Sequence, residues 1–154
     1  MYRDLAPAVL GYLRSQRVPD PEDVLGDVFL QVARDLHRVR GDESVVRRWV
    51  FSVARHRVID DARRRARRPR SAAADLPDGP ARADAEPFDV ALVEALHRLT
   101  PDQREVIVLR FVADLPLESV ARITHRRTGA VKALQHRALA QLAATVSPEL
   151  PLTL

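Results

Sequence analysis

An all-α chain of two small helical domains joined by a flexible acidic linker is predicted by three features of the sequence. Apolar residues recur every three and four positions through both halves, and no stretch alternates as a strand would. Short breaks rich in Pro, Gly and Asp separate these stripes. Charge is segregated, with a net +6 over residues 1–70, −4 over 71–90 and +2 over 91–154. A length of 154 residues suits one ordinary domain or two small ones. The boundaries follow as a first domain at 1–67, a linker at 68–88, a second domain at 89–146 and a tail at 147–154.

In the first half, Tyr2, Leu5, Val9 and Leu13 share one face of a helix that runs to about Gln16 and is broken by Val18-Pro19-Asp20. Asp20 offers an N-cap, Pro21 suits the first helical position, and Glu22 and Asp23 favour the helix dipole. The second helix carries the stripe Val24, Leu25, Val28, Phe29, Val32 and Leu36. After the polar break at 38–43, Val46, Trp49, Val50, Val53 and Ala54 resume helical spacing toward Ala66, which places Trp49 in the core. The linker combines Pro69, Pro77, Pro80 and Pro87 with repeated Ala and few large apolar residues, too little to bury for an ordered core.

The second half opens with a short amphipathic helix through Leu92, Ala95, Leu96 and Leu99. Thr100-Pro101-Asp102 caps the next, which extends to Val112 and ends before Asp114-Leu115-Pro116. Residues 117–124 and 128–143 then form two helices joined by the tight turn His125-Arg126-Arg127.

Several functions are excluded on composition. Without cysteine there is no disulfide, thiolate metal site or cysteine nucleophile. The five histidines show no metal-ligand spacing, the five glycines form no phosphate-binding loop, and no cofactor is expected. Asp60-Asp61 lies among arginines, where salt bridging accounts for it. No apolar run is long enough to span a membrane, and the first residues lack a signal segment, so a cytoplasmic protein without membrane insertion is expected. What remains is a binding protein rather than an enzyme. Of its 25 basic residues 24 are arginines, whose guanidinium fork suits phosphates and guanine edges.

The last two helices fit a helix-turn-helix frame. With Leu117 as its first position, Val120, Ala121, Val131 and Leu134 fall where the two helices pack, the small Ala121 permitting close approach. Arg126, Arg127, Thr128, Ala130, Lys132, Gln135, His136 and Arg137 then cover the turn and the open faces of the second helix, which suits a DNA major groove. His125 occupies the turn position usually held by glycine, and histidine tolerates a left-handed backbone better than most residues. Thr124, where a bulky apolar residue is expected, predicts a less tightly packed turn.

Three stretches in order resemble an extracytoplasmic-function (ECF) sigma factor of bacterial RNA polymerase, of the sigma-70 family. Asp20 to Leu30 is similar to region 2.1–2.2. Arg40-Gly41-Asp42 through Trp49 to Asp60 is similar to regions 2.3–2.4, and Leu99 through Gly129 to Leu139 resembles region 4. The resemblance implies a promoter-specificity subunit that binds polymerase core through the β′ clamp coiled coil and the β flap, opens the minus-10 element and binds the minus-35 duplex. An anti-sigma protein is a further candidate partner.

On this resemblance Asp23, Val24, Asp27, Val28 and Gln31 bind core polymerase. Arg40, Gly41 and Asp42 lie in the loop where the family captures a flipped base, and Arg48, Ser52, Arg55, His56 and Arg63 form a polar stripe that follows the single strand, with Asp60 orienting the arginines. His56 replaces an asparagine common among relatives, so its hydrogen bonds to the strand differ. Arg126 to Arg137 serve the minus-35 element. The competing reading is a stand-alone helix-turn-helix regulator that never meets polymerase.

With a small net positive charge and an acidic linker, the chain alone is expected to bind duplex DNA weakly, with affinity falling steeply as salt rises. Nanomolar, salt-insensitive binding in a fluorescence-anisotropy titration would contradict this.

Overall fold

The structure, a computed structural model, describes residues 2–67 and 87–146. The expected flexible linker therefore lies outside the described residues except at its last two positions, and the tail at 147–154 lies outside them entirely. Three helices make the first half: α1 (Tyr2–Ser15), α2 (Pro21–Asp35) and the long α3 (Glu43–Arg67). A single 3-10 turn, Leu36–Arg38, follows α2. The second half holds α4 (Pro87–His97), α5 (Pro101–Ile107), a π-helical turn over Val108–Val112, α6 (Leu117–Thr124) and α7 (Thr128–Val146). There is no strand among the described residues.

Local chemistry accounts for the helix boundaries. Thr100 and Gln103 form a reciprocal capping box at α5: the threonine side chain accepts from the Gln103 N–H at 3.2 Å, and the Gln103 side chain accepts from the Thr100 N–H at 3.3 Å. Asp20 occupies the expected N-cap position of α2, but its side chain makes no capping bond, so Pro21 and the first-turn acids are what favour that helix start. Asp42 caps α3 instead. Its Oδ1 accepts from the Ser44 hydroxyl at 2.8 Å and from the Ser44 and Val45 amides at 3.1 and 3.2 Å. Gly41, just before it, has φ +137°, and a Cβ there would stand 2.7 Å from Val45.

The apolar stripes meet as the sequence predicts. Leu5, Val9, Tyr12 and Leu13 of α1, Val24, Val28 and Val32 of α2, and Val50, Phe51, Val53 and Ala54 of α3 are all buried, with Trp49 packed against them. This core does not stop at the first half. It runs on through Val106, Val108, Leu109, Leu115, Val120, Ile123 and Val131, so the two halves share one continuous apolar interior. The π turn presses Val112 against α1 at Gly11, where an added Cβ would meet the valine at 3.3 Å.

Gly41→Ala should therefore destabilise the protein by about 1–3 kcal/mol, the cost of forcing a side chain into that backbone region. Gly26→Ala, in the middle of α2 with no atom within 4 Å of the new Cβ, should stabilise it by about 0.5–1 kcal/mol. Urea denaturation followed by circular dichroism checks both signs.

Candidate nucleic-acid interface

The helix-turn-helix is built from α6 and α7. Val120 and Ala121 on α6 and Val131 on α7 are buried in one core with Leu134 packed against it, while Ala138 is buried in a second cluster with Leu99 and Ile107. His125 ends α6 with φ 59° and ψ 42°, the left-handed conformation glycine would otherwise supply. The Arg126 amide then bonds back to the Ala121 carbonyl at 3.0 Å. Thr124 does not loosen the turn as expected. It is buried, and its hydroxyl donates to the Val120 carbonyl at 2.8 Å, so the polar atom is satisfied within the helix and the methyl fills the space.

Arg127, Thr128, Ala130, Lys132, His136 and Arg137 are all exposed, which leaves an open basic face along the turn and the first half of α7. Arg126 is half-buried and paired with Asp102 at 3.0 Å, fastening the turn to the start of α5. Gln135 is half-buried, and its carbonyl oxygen is enclosed without a hydrogen-bond partner.

On the other half, α2 and α3 flank a groove lined by Gln31, His56, Arg57, Ile59, Asp60 and Arg63. Four residues singled out from the sequence, Gln31, His56, Asp60 and Arg63, are thus brought together. The Gln31 oxygen accepts from Arg57 at 3.0 Å. Asp60 makes no ion pair among the described residues; it is Asp61 that holds an arginine, Arg65, at 3.0 Å. Arg40 and Gly41 are exposed on the loop before α3, and the carboxylate of Asp42 is committed to capping. Hydrogen bonds from Ser44 and Val45 hold that carboxyl below its ordinary pKa. Arg48 and Ser52 are half-buried.

Two residues expected at the core-polymerase surface are not on a surface. Val28 is 0% exposed and Val24 9%, because both belong to the stripe that packs α2 against its neighbours. Asp23 and Asp27 do face solvent, and Leu30, which the sequence reading passed over, is 64% exposed beyond them. Spacings of four and three residues put Asp23, Asp27 and Leu30 on one side of α2.

Arg55 differs most from its expected role as a free cation. Its Nε donates to Oε2 of Glu105 on α5 at 2.8 Å, and the Tyr12 hydroxyl donates to the same oxygen at 2.7 Å. Burial alone would depress the Arg55 guanidinium, but the hydrogen bond and charge of Glu105 outweigh burial and raise its pKa. Nearby, the Arg47 Nε donates to the Ala113 carbonyl at 2.6 Å. Burial, then the charges of Arg17 and Arg104, hold His97 below its ordinary pKa.

The family model "Sigma-70 region 2" matches residues 1–68 and "Sigma-70, region 4" matches residues 95–144. The ECF RNA polymerase sigma factor ShbA of Streptomyces griseus is 32% identical over 90% of this chain and 81% of its own length. The chain belongs to the ECF sigma factors. SigD of Mycobacterium tuberculosis, another ECF sigma factor, is 34% identical over 79% of this chain, which spans 60% of that relative. Among solved structures, the fold matches the sigma factor RpoE in complex with the anti-sigma factor NepR from Bartonella quintana, with a TM-score of 0.76, 21% identity and coverage of 96% of this chain and 95% of that one. CnrH in complex with the cytosolic domain of CnrY matches with a TM-score of 0.66, 23% identity and coverage of 96% and 86%. This sigma factor is thus a transcription initiation factor that works with polymerase core and promoter DNA, and the stand-alone regulator gives way to it.

Burial, followed by the charge and hydrogen bond of Glu105, pushes the Tyr12 phenol well above its ordinary value of 10.0. A pKa higher in the folded than the unfolded state contributes stability that is complete below the unfolded value and lost as pH rises through the folded one. Titration at 295 nm should show the Tyr12 phenolate appearing only together with loss of helix, and Tyr12→Phe should remove that step.

Proposed function

We propose that this sigma factor recognises the minus-35 duplex with the exposed face of α7 and follows the opened minus-10 strand along the groove between α2 and α3. The observation that carries the reading is the α6–α7 geometry, in which a left-handed turn bearing Arg126 and Arg127 sets the α7 face with Lys132, His136 and Arg137 outward while Val131 and Ala138 anchor its back. Arg127, Thr128, Ala130, Lys132, His136 and Arg137 contact base edges and phosphates, with Arg126 steadying the turn through Asp102 and Gln135 closing the edge of that face. Arg40 and Gly41 form the entry of the minus-10 site. His56, Arg63, Arg55, Arg48 and Ser52 line the strand path, while Asp42 holds the loop to the start of α3.

Core polymerase docks on the Asp23, Asp27 and Leu30 side of α2, a mixed acidic and apolar rim suited to a partner helix such as the β′ clamp coiled coil. Gln31 supports this side through Arg57. Leu92 and Val93 of α4 remain exposed and offer an apolar surface for the β flap. The protein acts in the cytoplasm, carries no catalytic activity of its own and needs no metal or cofactor. An anti-sigma protein belongs among its partners, as it does for the two structural neighbours. The two domains are the halves before and after the acidic linker.

Run-off transcription with purified polymerase core, from a library of random upstream sequences, tests the reading. A class of promoters with two spaced elements should be transcribed only when the protein is present. Arg127→Ala with Lys132→Ala should lower promoter binding by on the order of ten-fold or more and flatten its salt dependence. Leu30→Glu should weaken core binding without changing the stability of the free protein. Unchanged core affinity in Leu30→Glu would remove that residue from the docking surface.

A further inference from the structure

Two arginines and a histidine meet where the end of α1 packs on α4 and α5. Arg17 lies in the turn directly after α1, exposed, with a left-handed φ of 59° and its amide bonded to the Arg14 carbonyl at 3.0 Å. His97 ends α4 and is half-buried, and Arg104 lies within α5 at 8% exposure. Burial, followed by the charge of Arg17, lowers the pKa of Arg104, and the charges of Arg17 and Arg104 act in the same way on His97.

The acids that could neutralise this cluster are engaged elsewhere. Glu105, the next residue on α5, is held by Tyr12 and Arg55; Asp102 pairs with Arg126, and Glu22 with Arg14. Among the described residues no hydrogen bond or salt bridge reaches the side chains of Arg17, His97 or Arg104, and the Arg104 Nε is buried without an acceptor. The carbonyls that end α1 and α4 favour a cation nearby, which accounts for Arg17 and His97. They do not account for Arg104, whose guanidinium is withdrawn from water with a donor unpaired.

We propose that Arg17, His97 and Arg104 form a binding site for a compact oxyanion, the terminal phosphoryl group of a small phosphorylated molecule, with Arg104 at its floor and Arg17 at its mouth. A guanidinium fork donates two parallel N–H bonds to paired phosphate oxygens, and the imidazole adds a further donor. A phosphodiester, singly charged and carrying a chain on both sides, fits a buried guanidinium less well. The charged groups facing His97 are Arg17 and Arg104, while α7, which also packs on α4, brings the uncharged Gln141 to the Arg98 carbonyl. A dianion beside His97 opposes the effect of both arginines and favours the imidazolium, so binding takes up a proton. None of the three residues carries a promoter or core-docking role above, and the site is independent of those assignments.

Isothermal titration calorimetry of the full-length protein, with inorganic phosphate and with a nucleoside 5′-monophosphate against chloride of matched ionic strength, tests the site. Phosphate should bind at a single site. Arg104→Met should weaken it about ten- to hundred-fold, the range for losing a hydrogen bond between charged groups. Should Arg104→Met fail to fold, Arg17→Ala reads the loss from the exposed side. Arg127→Ala with Lys132→Ala, on the open face of α7, should leave phosphate binding unchanged. In sulfate, whose own charge is constant near neutrality, the His97 ring protons, assigned by NMR through His97→Gln, should titrate at a higher pH than in matched chloride. Equal affinity for the two ligands supports the site with free phosphate as sufficient, and tighter binding of the monophosphate supports it with a nucleotide as the source. The site is overturned by any of three results: no phosphate binding beyond the chloride control, binding lost in the α7 double variant but kept in Arg104→Met, or a His97 titration identical in sulfate and chloride.

Discussion

The buried carboxylate of Glu105 holds the two halves of this sigma factor in their observed relation. Hydrophobic contact between the halves is non-directional and would tolerate small slides of α5 over α1 and α3. Two hydrogen bonds converging on one carboxylate oxygen do not tolerate them, because each weakens steeply as its angle and length depart from ideal. The Tyr12 ring is fixed in turn by its edge-to-face contact with Phe51, centroids 6.1 Å apart. The register of α1 on α3 is thereby tied to the position of α5, and the polar contact specifies what the apolar core only favours.

That contact also explains the character of α3. A helix packed on one side shows a polar and an apolar face, but α3 meets α2 through Arg57, α1 through Phe51 and the second half through Arg47 and Arg55. Its apolar and charged residues are consequently interleaved around most of the circumference, and the strip carrying His56, Asp60 and Arg63 is among the exposed parts of the helix. α7 is different. It packs on α4, α5 and α6 through Val131, Leu134 and Ala138, and the face that carries Thr128, Lys132, His136 and Arg137 stays exposed.

Much of this was legible in the sequence because it is local. The stripes of α1 and α2, the Thr100 capping box, the break at Gly41 and the left-handed His125 depend on residues within about one helical turn of each other, where spacing and side-chain chemistry suffice. Val24 and Val28 show where local reading went astray: their periodicity already assigned them to the core, and the motif that also contains them drew them to the surface. The exposed residue on that helix, Leu30, breaks the apolar stripe, and that break was the available signal. Thr124 was misjudged by size alone, since its hydroxyl finds the Val120 carbonyl one turn back. Glu105 was beyond reach, because its donors lie 93 and 50 residues away and no periodicity links them.

The basic edge of the same junction limits how firmly it can close. Arg17 at the end of α1 carries the same charge as Arg104 on α5 and lies close enough to His97 and Arg104 to lower the pKa of both, in each case after burial itself. The Arg104 Nε is buried without a hydrogen-bond partner. One side of the α1–α5 contact is therefore attractive, through Glu105, and another repulsive, through like charges with incomplete hydrogen bonding. The like charges of Arg17 and Arg104 oppose what the Glu105 bonds favour, so the geometry of the junction is set by Glu105 while its strength is less than the apolar core and those bonds alone would give.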